Sequence, residues 1–368
     1  MPTLEEEIEA GRREIFTDSY SMSIGEITNL YRDAEIDVHP EFQRVFRWDD
    51  LQKSRLVESI LLGIPLPSIF VAQSENGSWD VVDGVQRLST ILQFQGILKD
   101  DEGNLMPPIS LEGTRLLPSL AGKRWDDPDE GISLTSAQRL DFKRAKLDLK
   151  IVKRESSADS KYDLFQRLNS YGSQATQQEV RSCMLIGTNR DFYTWLAGLA
   201  TDANFLSTVA LSERLIGEQY HLELALRFVI FRRFPADQIS TIGNLGEFVT
   251  NEAMRMALAK DFEYDAEAAA FRKTFEFLNE TSGDLSFKRW NEARQRFGGP
   301  FLNTSFEVIA MGLGHNIDRF ASVSEVDPTA KAKEFWTSDD YGAGFATGVR
   351  ADARMAKSIP LGRQLFSA

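Results

Sequence analysis

The chain has 368 residues, a length that favours two domains. Its residues are 42% hydrophobic and 26% charged, the composition of a soluble globular protein. Its net charge of −13 argues against a coat that binds nucleic acid non-specifically, although it allows a local basic surface. No apolar run approaches the ~18 residues of a membrane span, and the acidic N-terminus is unlike a secretory signal, so a cytoplasmic protein with no membrane partner is expected.

Two helices are the first predicted elements. The stretch "SIGEITNLYRD" reads as a short helix. In "DDLQKSRLVESILLG", Asp49 is the predicted N-cap and Gly63 ends the helix. The apolar face of this second helix comprises Leu56, Val57, Ile60 and Leu61.

A β-hairpin and a strand–turn–helix joint follow. The Asn-Gly of "ENGSW" predicts a turn, so the strands "IPLPSIFVAQ" and "WDVV" should pair antiparallel. In "WDVVDGVQRLST", Asp83 and Gly84 are turn residues, and helical spacing begins at Leu88. Two interpretations stay open: Asp83 caps the helix, or the helix N-terminus offers its N–H groups to an anion, with Arg87 one turn in.

Beyond the joint, residues 100–133 are rich in Gly, Pro and Asp and are expected to form an extended loop. The alternation in "LDLKIVK" predicts a strand with Leu147, Leu149 and Ile151 on one face. Residues 139–154 hold seven Lys or Arg against two Asp, and residues 287–297 form a second basic stretch, interpreted as helical. Each is more typical of a solvated face than of a nucleic-acid surface.

Helical patterns dominate after residue 155. "DSKYDLFQRLNSYG" should be a helix, a capping box from Thr176 to Glu179 starts the next, and a long helix runs from residue 212 to Pro235. Further helices are expected near 244–260, 262–280, 285–297 and 303–322. The sequence therefore predicts an α+β protein: an N-terminal extension (1–19), a small mixed α/β domain (20–155) and a larger all-helical domain (156–368).

Several chemistries are excluded by their residues. His39, His221 and His315 are widely spaced and do not form the cluster that a His-Asn-His nuclease needs. No zinc-binding spacing, nucleophile elbow or P-loop is present. The single cysteine, Cys183, lies in an apolar stretch typical of a buried structural thiol.

Three separate segments instead pair Gln with Arg beside apolar residues. A guanidinium fork suits phosphate, and side-chain amides suit the edge of a base or sugar. Any one pair has a bland explanation on an amphipathic element, whereas three together favour a binding pocket. The candidate residues in "FQRVFRW", "DGVQR" and "LFQRLNSYG" are Gln43, Arg44, Asp83, Gln86, Arg87, Gln166, Arg167 and Asn169.

The ordered segments "FQRVFRW", "LVESILLGIPLPSIFV", "VVDGVQRLSTI" and "LFQRLNSYGSQATQQEVRSCML" resemble the GmrSD-type restriction endonuclease N-terminal domain family, with its Asp-Gly-Gln-Gln-Arg-like motif. That family is similar to the ParB/sulfiredoxin fold group, in which the strand–turn–helix joint binds nucleotide phosphates. The resemblance therefore implies that Gly84 and Arg87 mark a phosphate-binding turn. Val85 departs from the family's Gln and stands where sulfiredoxin has its catalytic Cys, so sulfiredoxin chemistry is not expected.

The resemblance implies roles for these residues around an NTP. Arg44 and Arg87 would contact phosphates, Gly84 would cradle them, and Asp83 would hold Mg²⁺ or orient water. The amide side chains of Gln86, Gln166 and Asn169 would orient the ligand, with Gln43 and Arg167 beside them. Glu179 is better explained by its capping box than by a metal.

The expected function is a nucleotide-binding, NTP-hydrolysing component of a prokaryotic restriction or antiphage system. Many relatives carry a C-terminal His-Asn-His nuclease domain whose motif is not found here, so a partner nuclease in trans is expected. The alternative is a non-enzymatic, ParB-like DNA-binding or adaptor protein, in which the same pocket is a structural latch or binds DNA phosphate. In a structural role, Arg87 would pair with a buried carboxylate. DNA as a further ligand, self-association into a homo-oligomer and the preferred base are left open.

Overall fold

The computed structural model describes residues 3–5, 16–38, 48–74, 76–100, 102–156, 176–338, 345 and 350–367. The chain divides into two compact units, Met1–Gly187 and Thr188–Ala368. The domain boundary predicted after residue 155 falls inside the first unit. Among the described residues, every helix is too short or too polar to cross a membrane.

The first unit is a mixed sheet with helices. Its strands and helices in chain order are β1 (Thr17–Ser23), α1 (Ile24–Arg32), β2 (Ile36–Asp37), α2 (Asp50–Leu61), β3 (Ile69–Gln73), β4 (Trp79–Asp83), α3 (Val85–Phe94), α4 (Ser136–Arg144), β5 (Lys146–Val152) and α5 (Gln177–Thr188).

The described strands of this unit form one sheet in the order β1-β5-β3-β4-β2. The predicted hairpin is confirmed, since β3 and β4 pair antiparallel across the Asn-Gly turn. Strand β2 runs parallel to β4, whereas β5 runs parallel to β3. Consequently the C-terminal ends of β2 and β4 lie on the same side of the sheet, and the C-terminal end of β5 lies on the opposite side.

The elements that the sequence predicts correctly have clear local signals. Asp49 caps α2 in a full capping box with Gln52, as its position predicted. The three alternating residues of β5 are buried in the core of the unit. That core also contains Val57 of α2, Val81 of β4 and Leu88 of α3.

Two strands and one helix of this unit were not predicted. Strand β1, "TDSYSMS", is largely exposed and lacks an apolar face, and it is held by pairing with β5. It begins at Thr17, inside the predicted N-terminal extension. Helix α4 begins with a capping box between Thr135 and Gln138, a signal that the sequence did contain.

The long loop before α4 is fastened to α2 by the carboxylate of Glu58 and by the hydroxyl of Ser54, which accepts a hydrogen bond from the backbone N–H of Glu112 (2.8 Å). Glu58 is buried, and its Oε1 accepts hydrogen bonds from the backbone N–H groups of Leu116 (2.9 Å) and Leu117 (3.0 Å) and from the hydroxyl of Thr114. These donors lower the pKa of Glu58, with Thr114 contributing most. Two buried polar side chains of α2 therefore order part of the expected extended loop.

The second unit is predominantly helical and contains one small sheet. Its strands and helices in chain order are α6 (Arg190–Ala200), α7 (Ala203–Val209), α8 (Glu213–Gly217), α9 (Tyr220–Arg233), α10 (Leu245–Leu258), α11 (Tyr264–Thr281), β6 (Arg289–Asn291), β7 (Arg296–Gly298), α12 (Asn303–Ser305), a π-helical turn (Phe306–Ala310), α13 (Met311–Asn316), α14 (Pro328–Thr337) and α15 (Ala351–Leu365).

Two predictions for this unit were wrong in detail. The long helix ending at Pro235 is two helices, because Gln219 adopts a left-handed conformation (φ 57°) between α8 and α9. The helix expected over 285–297 is an antiparallel hairpin of β6 and β7, with Trp290 opposite Phe297. The fold class is nevertheless confirmed as α+β, with the mixed sheet before a helical part.

Candidate functional site

The joint between β4 and α3 is built on the backbone of Gly84. This residue has φ 95°, a left-handed conformation that glycine adopts without strain. A Cβ at this position would lie 3.0 Å from Cγ1 of Ile69, so the space is also limited. Glycine is therefore required here both for the turn and for the close approach to β3.

Arg87 holds the joint against the start of β3. Its Nη2 lies 3.0 Å from Oδ2 of Asp83 and 3.3 Å from the carbonyl oxygen of Ser68. Its Nη1 donates to the carbonyl oxygens of Pro67 and Ser68. The Nε group takes no part in these contacts. The guanidinium thus ties the first turn of α3 to the backbone that leads into β3.

Burial shapes the electrostatics of this pair. The Arg87 side chain is 13% exposed and that of Asp83 is 31% exposed. Burial lowers the pKa of Arg87, and the Asp83 carboxylate opposes this shift both by its charge and by its hydrogen bond. The arrangement is the one expected if Arg87 is structural, except that its carboxylate partner is half-buried.

Asp83 is not the N-cap of α3, so one of the two sequence interpretations is wrong. The strand continues through Asp83, the cap position belongs to Gly84, and no side chain caps the helix. The Asp83 carboxylate does not cap the helix because it accepts a hydrogen bond from the guanidinium of Arg87 instead. Oδ2 of Asp83 is taken by the guanidinium, so Asp83 would offer Mg²⁺ its Oδ1, and phosphate oxygens and water would have to supply the other ligands.

The first turn of α3 is the accessible part of this helix. Leu88 donates the first intrahelical bond, to the carbonyl of Gly84 (2.9 Å), so the amides of Val85, Gln86 and Arg87 lie ahead of it. These three residues are half-buried, whereas the helix is buried from Leu88 to Phe94. An uncapped helix N-terminus with a nearby cation is an arrangement that attracts an anion.

Five of the predicted site residues lie outside the described residues: Gln43, Arg44, Gln166, Arg167 and Asn169. Their approach to the joint stays a prediction. The chain leaves β2 at Val38, beside the C-terminal end of β4, because β2 and β4 are parallel. It leaves β5 after Val152, at the opposite ends of the strands.

The sequence did not identify the carbonyl groups that Arg87 binds. Pro67 and Ser68 lie about 20 residues earlier in the chain, and backbone acceptors leave no mark in a sequence. The prolines of "IPLPSIF" did signal a constrained approach to a strand.

The described residues include no group of three or more His, Cys, Asp or Glu that could hold a metal ion. The predicted capping box at Thr176 is only partly visible. Helix α5 begins at Gln177, as that box predicted, but the Glu179 side chain is outside the described residues.

A protein-family model matches part of the first unit. Residues 26–186 match the family model described as the GmrSD restriction endonuclease, N-terminal domain. This match confirms the resemblance carried by the sequence segments and includes the joint. No curated protein and no solved structure matches the chain. The family description associates this part of the chain with restriction systems.

Proposed function

We propose that the chain, whose residues 26–186 match the GmrSD N-terminal domain, is a nucleotide-binding and NTP-hydrolysing component of a prokaryotic restriction or antiphage system. The observation that carries the proposal is the uncapped N-terminus of α3. It follows β4 directly, turns on a left-handed Gly84 and lies beside the guanidinium of Arg87.

In this proposal the phosphates bind at the first turn of α3. The backbone N–H of Val85 donates to a phosphate oxygen, and the helix dipole contributes ~0.3–1 kcal/mol for an exposed anion. Because both terminal nitrogens of Arg87 already bind protein oxygens, its main contribution is a fixed positive charge. Asp83, with or without Mg²⁺, orients the attacking water.

The residues outside the described part would complete the pocket. Arg44 adds a second cation, and the amides of Gln43, Gln166 and Asn169 with Arg167 hold the base and sugar. NTP binding would then control a partner nuclease supplied in trans, or the engagement of DNA. The purified chain alone is accordingly expected not to cut DNA.

The test is a calorimetric titration of the full chain with ATP, GTP, CTP and UTP in the presence of Mg²⁺, combined with a phosphate-release assay. Saturable binding of at least one nucleotide with phosphate release is the expected result. No binding of any of the four would remove the proposal. Binding without release would leave a nucleotide sensor and remove the hydrolytic part.

A second candidate is a non-enzymatic, ParB-like DNA-binding or adaptor protein. The engagement of Arg87 by Asp83, Pro67 and Ser68 favours it, since such contacts stabilise a fold without any ligand. This candidate predicts DNA binding that weakens with salt, and no nucleotide turnover.

A further inference from the structure

The second unit presents a basic β-hairpin, formed by β6 and β7 and their connecting turn, residues 289–298. Arg289, Asn291 and Arg296 are exposed, whereas Trp290 and Phe297 are half-buried. Asn291 is directly opposite Arg296 in the register, so the two share a face. The connecting turn adds an exposed Arg294. One face of the hairpin is therefore polar and rich in arginine.

The other face of the hairpin is covered by aromatic and helical contacts. The rings of Trp290 and Phe297 meet edge to face at 5.0 Å. Lys333 of α14 lies 4.5 Å from the centre of the Trp290 ring. Arg289, which the register places on the polar face with Asn291, holds its guanidinium 5.5 Å from the centre of the Trp336 ring. The hairpin is thus held from below, and its arginine face is presented on a supported scaffold.

The base of the hairpin is anchored in the core of the unit. Phe287 precedes β6, is fully buried and packs against the ring of Phe306 at 5.2 Å. Its carbonyl also accepts a hydrogen bond from the amide of Leu302 (3.1 Å), which follows β7. Both ends of the hairpin are therefore fixed.

The arginines of the turn have their charge available. Within the described part of the chain, neither Arg294 nor Arg296 makes an ion pair, whereas Lys288 is paired with Asp284 at 2.6 Å. The nearest acidic group in the hairpin, Glu292, accepts hydrogen bonds from Trp290 (2.6 Å) and Gln295 (2.9 Å). The hairpin is therefore locally basic, although the net charge of the protein is −13.

The other basic stretch of the sequence is different. In residues 139–154, Arg139 pairs with Asp126 at 2.6 Å and Lys153 with Asp18 at 3.3 Å. Lys150 donates to the Ser19 hydroxyl at 2.8 Å. Part of its charge is therefore balanced locally by Asp126 and Asp18, as in a solvated face.

We propose that the hairpin of β6 and β7 is a docking surface for the phosphate backbone of duplex DNA. Guanidinium groups match phosphate oxygens, and a two-stranded ribbon fits the major groove, which is about 12 Å wide. The aromatic side chains are already packed against α14, so the surface offers charge without the apolar face that a membrane or a protein partner would bury. This inference uses the second unit alone and is independent of the nucleotide site.

The test measures binding of a fluorescein-labelled DNA duplex to the full chain by anisotropy, between roughly 50 and 200 mM KCl. The variant is R294Q/R296Q, and the matched control is R214Q/R255Q. Arg214 and Arg255 are also exposed in the second unit but pair with acidic neighbours on their own helices. Both double variants change the net charge equally, so only the place of the lost charge differs.

Wild type and control should bind with the same salt slope, and R294Q/R296Q should lose about 1.8 units of that slope, ~0.9 for each phosphate contact. At 0.1 M salt this corresponds to a roughly 60-fold loss of affinity, because one unit of slope is tenfold relative to 1 M salt. An unchanged slope in R294Q/R296Q, an equal loss in the control, or no DNA binding by the wild type overturns the proposal. Equal affinity for an RNA duplex contradicts the choice of DNA.

Discussion

Arg87 and Asp83 form an ion pair across the joint between β4 and α3, with Nη2 of the arginine 3.0 Å from Oδ2 of the aspartate. The pair spans the strand end and the first helical turn, and the same guanidinium reaches the carbonyls of Pro67 and Ser68. One side chain thus couples three backbone segments. Any ligand that binds the first turn of α3 meets a turn whose geometry is already fixed.

Arg87→Ala should lower the free energy of unfolding by ~1.5–3 kcal/mol, because hydrogen bonds from a charged donor to half-buried oxygens are lost. Arg87→Lys should recover only part of this, since an ammonium cannot reproduce the fork. Urea denaturation measures both changes. The control is Arg124→Ala, which removes a more exposed pair with Asp127 and should cost at most about 1 kcal/mol. A free energy of unfolding in urea equal to that of the wild type would show that Arg87 does not stabilise the joint.

Gly84→Ala should destabilise the protein more than Gly77→Ala. Both glycines have a left-handed backbone, with φ values of 95° and 91°, so both variants carry a conformational cost of ~1–2 kcal/mol. Only at position 84 would the new methyl group meet a neighbour, at 3.0 Å from Ile69. Equal losses in denaturant midpoint would contradict the claim that backbone approach at the joint is tight.

Acid should weaken the attachment of the long loop to α2. Hydrogen bonds from Thr114, Leu116 and Leu117 lower the pKa of Glu58 in the folded state. Its contribution is therefore complete above the unfolded pKa of about 4.3 and is lost as the pH falls through the lower folded value. Denaturation between about pH 5 and pH 3 should show a smaller pH dependence in Glu58→Gln than in the wild type.

The matched control for the loop is Glu112→Gln, which removes an exposed carboxylate from the same loop. This variant should keep the pH dependence of the wild type. If Glu58→Gln also kept it, the carboxylate would not be the group that titrates.

Arg354→Ala should be the more damaging of two arginine substitutions in the second unit. Arg354 donates from Nε (3.1 and 3.2 Å) and Nη2 (2.7 Å) to the carboxylate of Glu307, which lies in the π-helical turn and is buried. Breaking a buried pair from one side costs ~3–5 kcal/mol. Arg255→Ala breaks an exposed pair with Glu252 and should cost less than about 1 kcal/mol by thermal denaturation. Similar losses in the two variants would rule out a structural role for the buried pair.

The predictable part of the fold depends on local signals. The Asp49 N-cap, the Asn-Gly turn and the alternation of β5 each specify a conformation within a few residues, and each prediction was confirmed. Strands β1 and β2 have no such signal. They are polar or very short, and pairing with β5 and β4 creates them.

Other features depend on contacts that no local pattern contains. Gly362 lies so close to the carbonyl of Val308 that a Cβ would be 2.1 Å from the oxygen, an approach between two helices that are far apart in sequence. The hairpin of β6 and β7 turns on Gln295 at φ 48°, where glycine or asparagine is the usual signal. Without that turn signal, the sequence predicts a helix for the basic stretch that contains Trp290 and Phe297.

The candidate site was predictable only where its residues are adjacent in sequence. Asp83, Gly84 and Arg87 are together because they share one turn, and the glycine signal was sufficient to locate it. The role of Arg87 was not settled by sequence, because its acceptors other than Asp83 are the backbone carbonyls of Pro67 and Ser68, which the pairing of β3 with β4 brings near. The register of that pairing shifts between Phe70 and Val71, and no pattern in the sequence predicts this shift.

The amide signal of Val85 tests the central claim most directly. In a full chain labelled with ¹⁵N-valine, the Val85 resonance can be assigned through Val85→Ile, a conservative substitution on a half-buried residue. If phosphates bind the first turn of α3, titration with NTP and Mg²⁺ should shift this resonance and saturate with the calorimetric Kd, while the valines of the second unit stay in place. A Val85 resonance that does not move while nucleotide binds would place the nucleotide elsewhere and contradict the account.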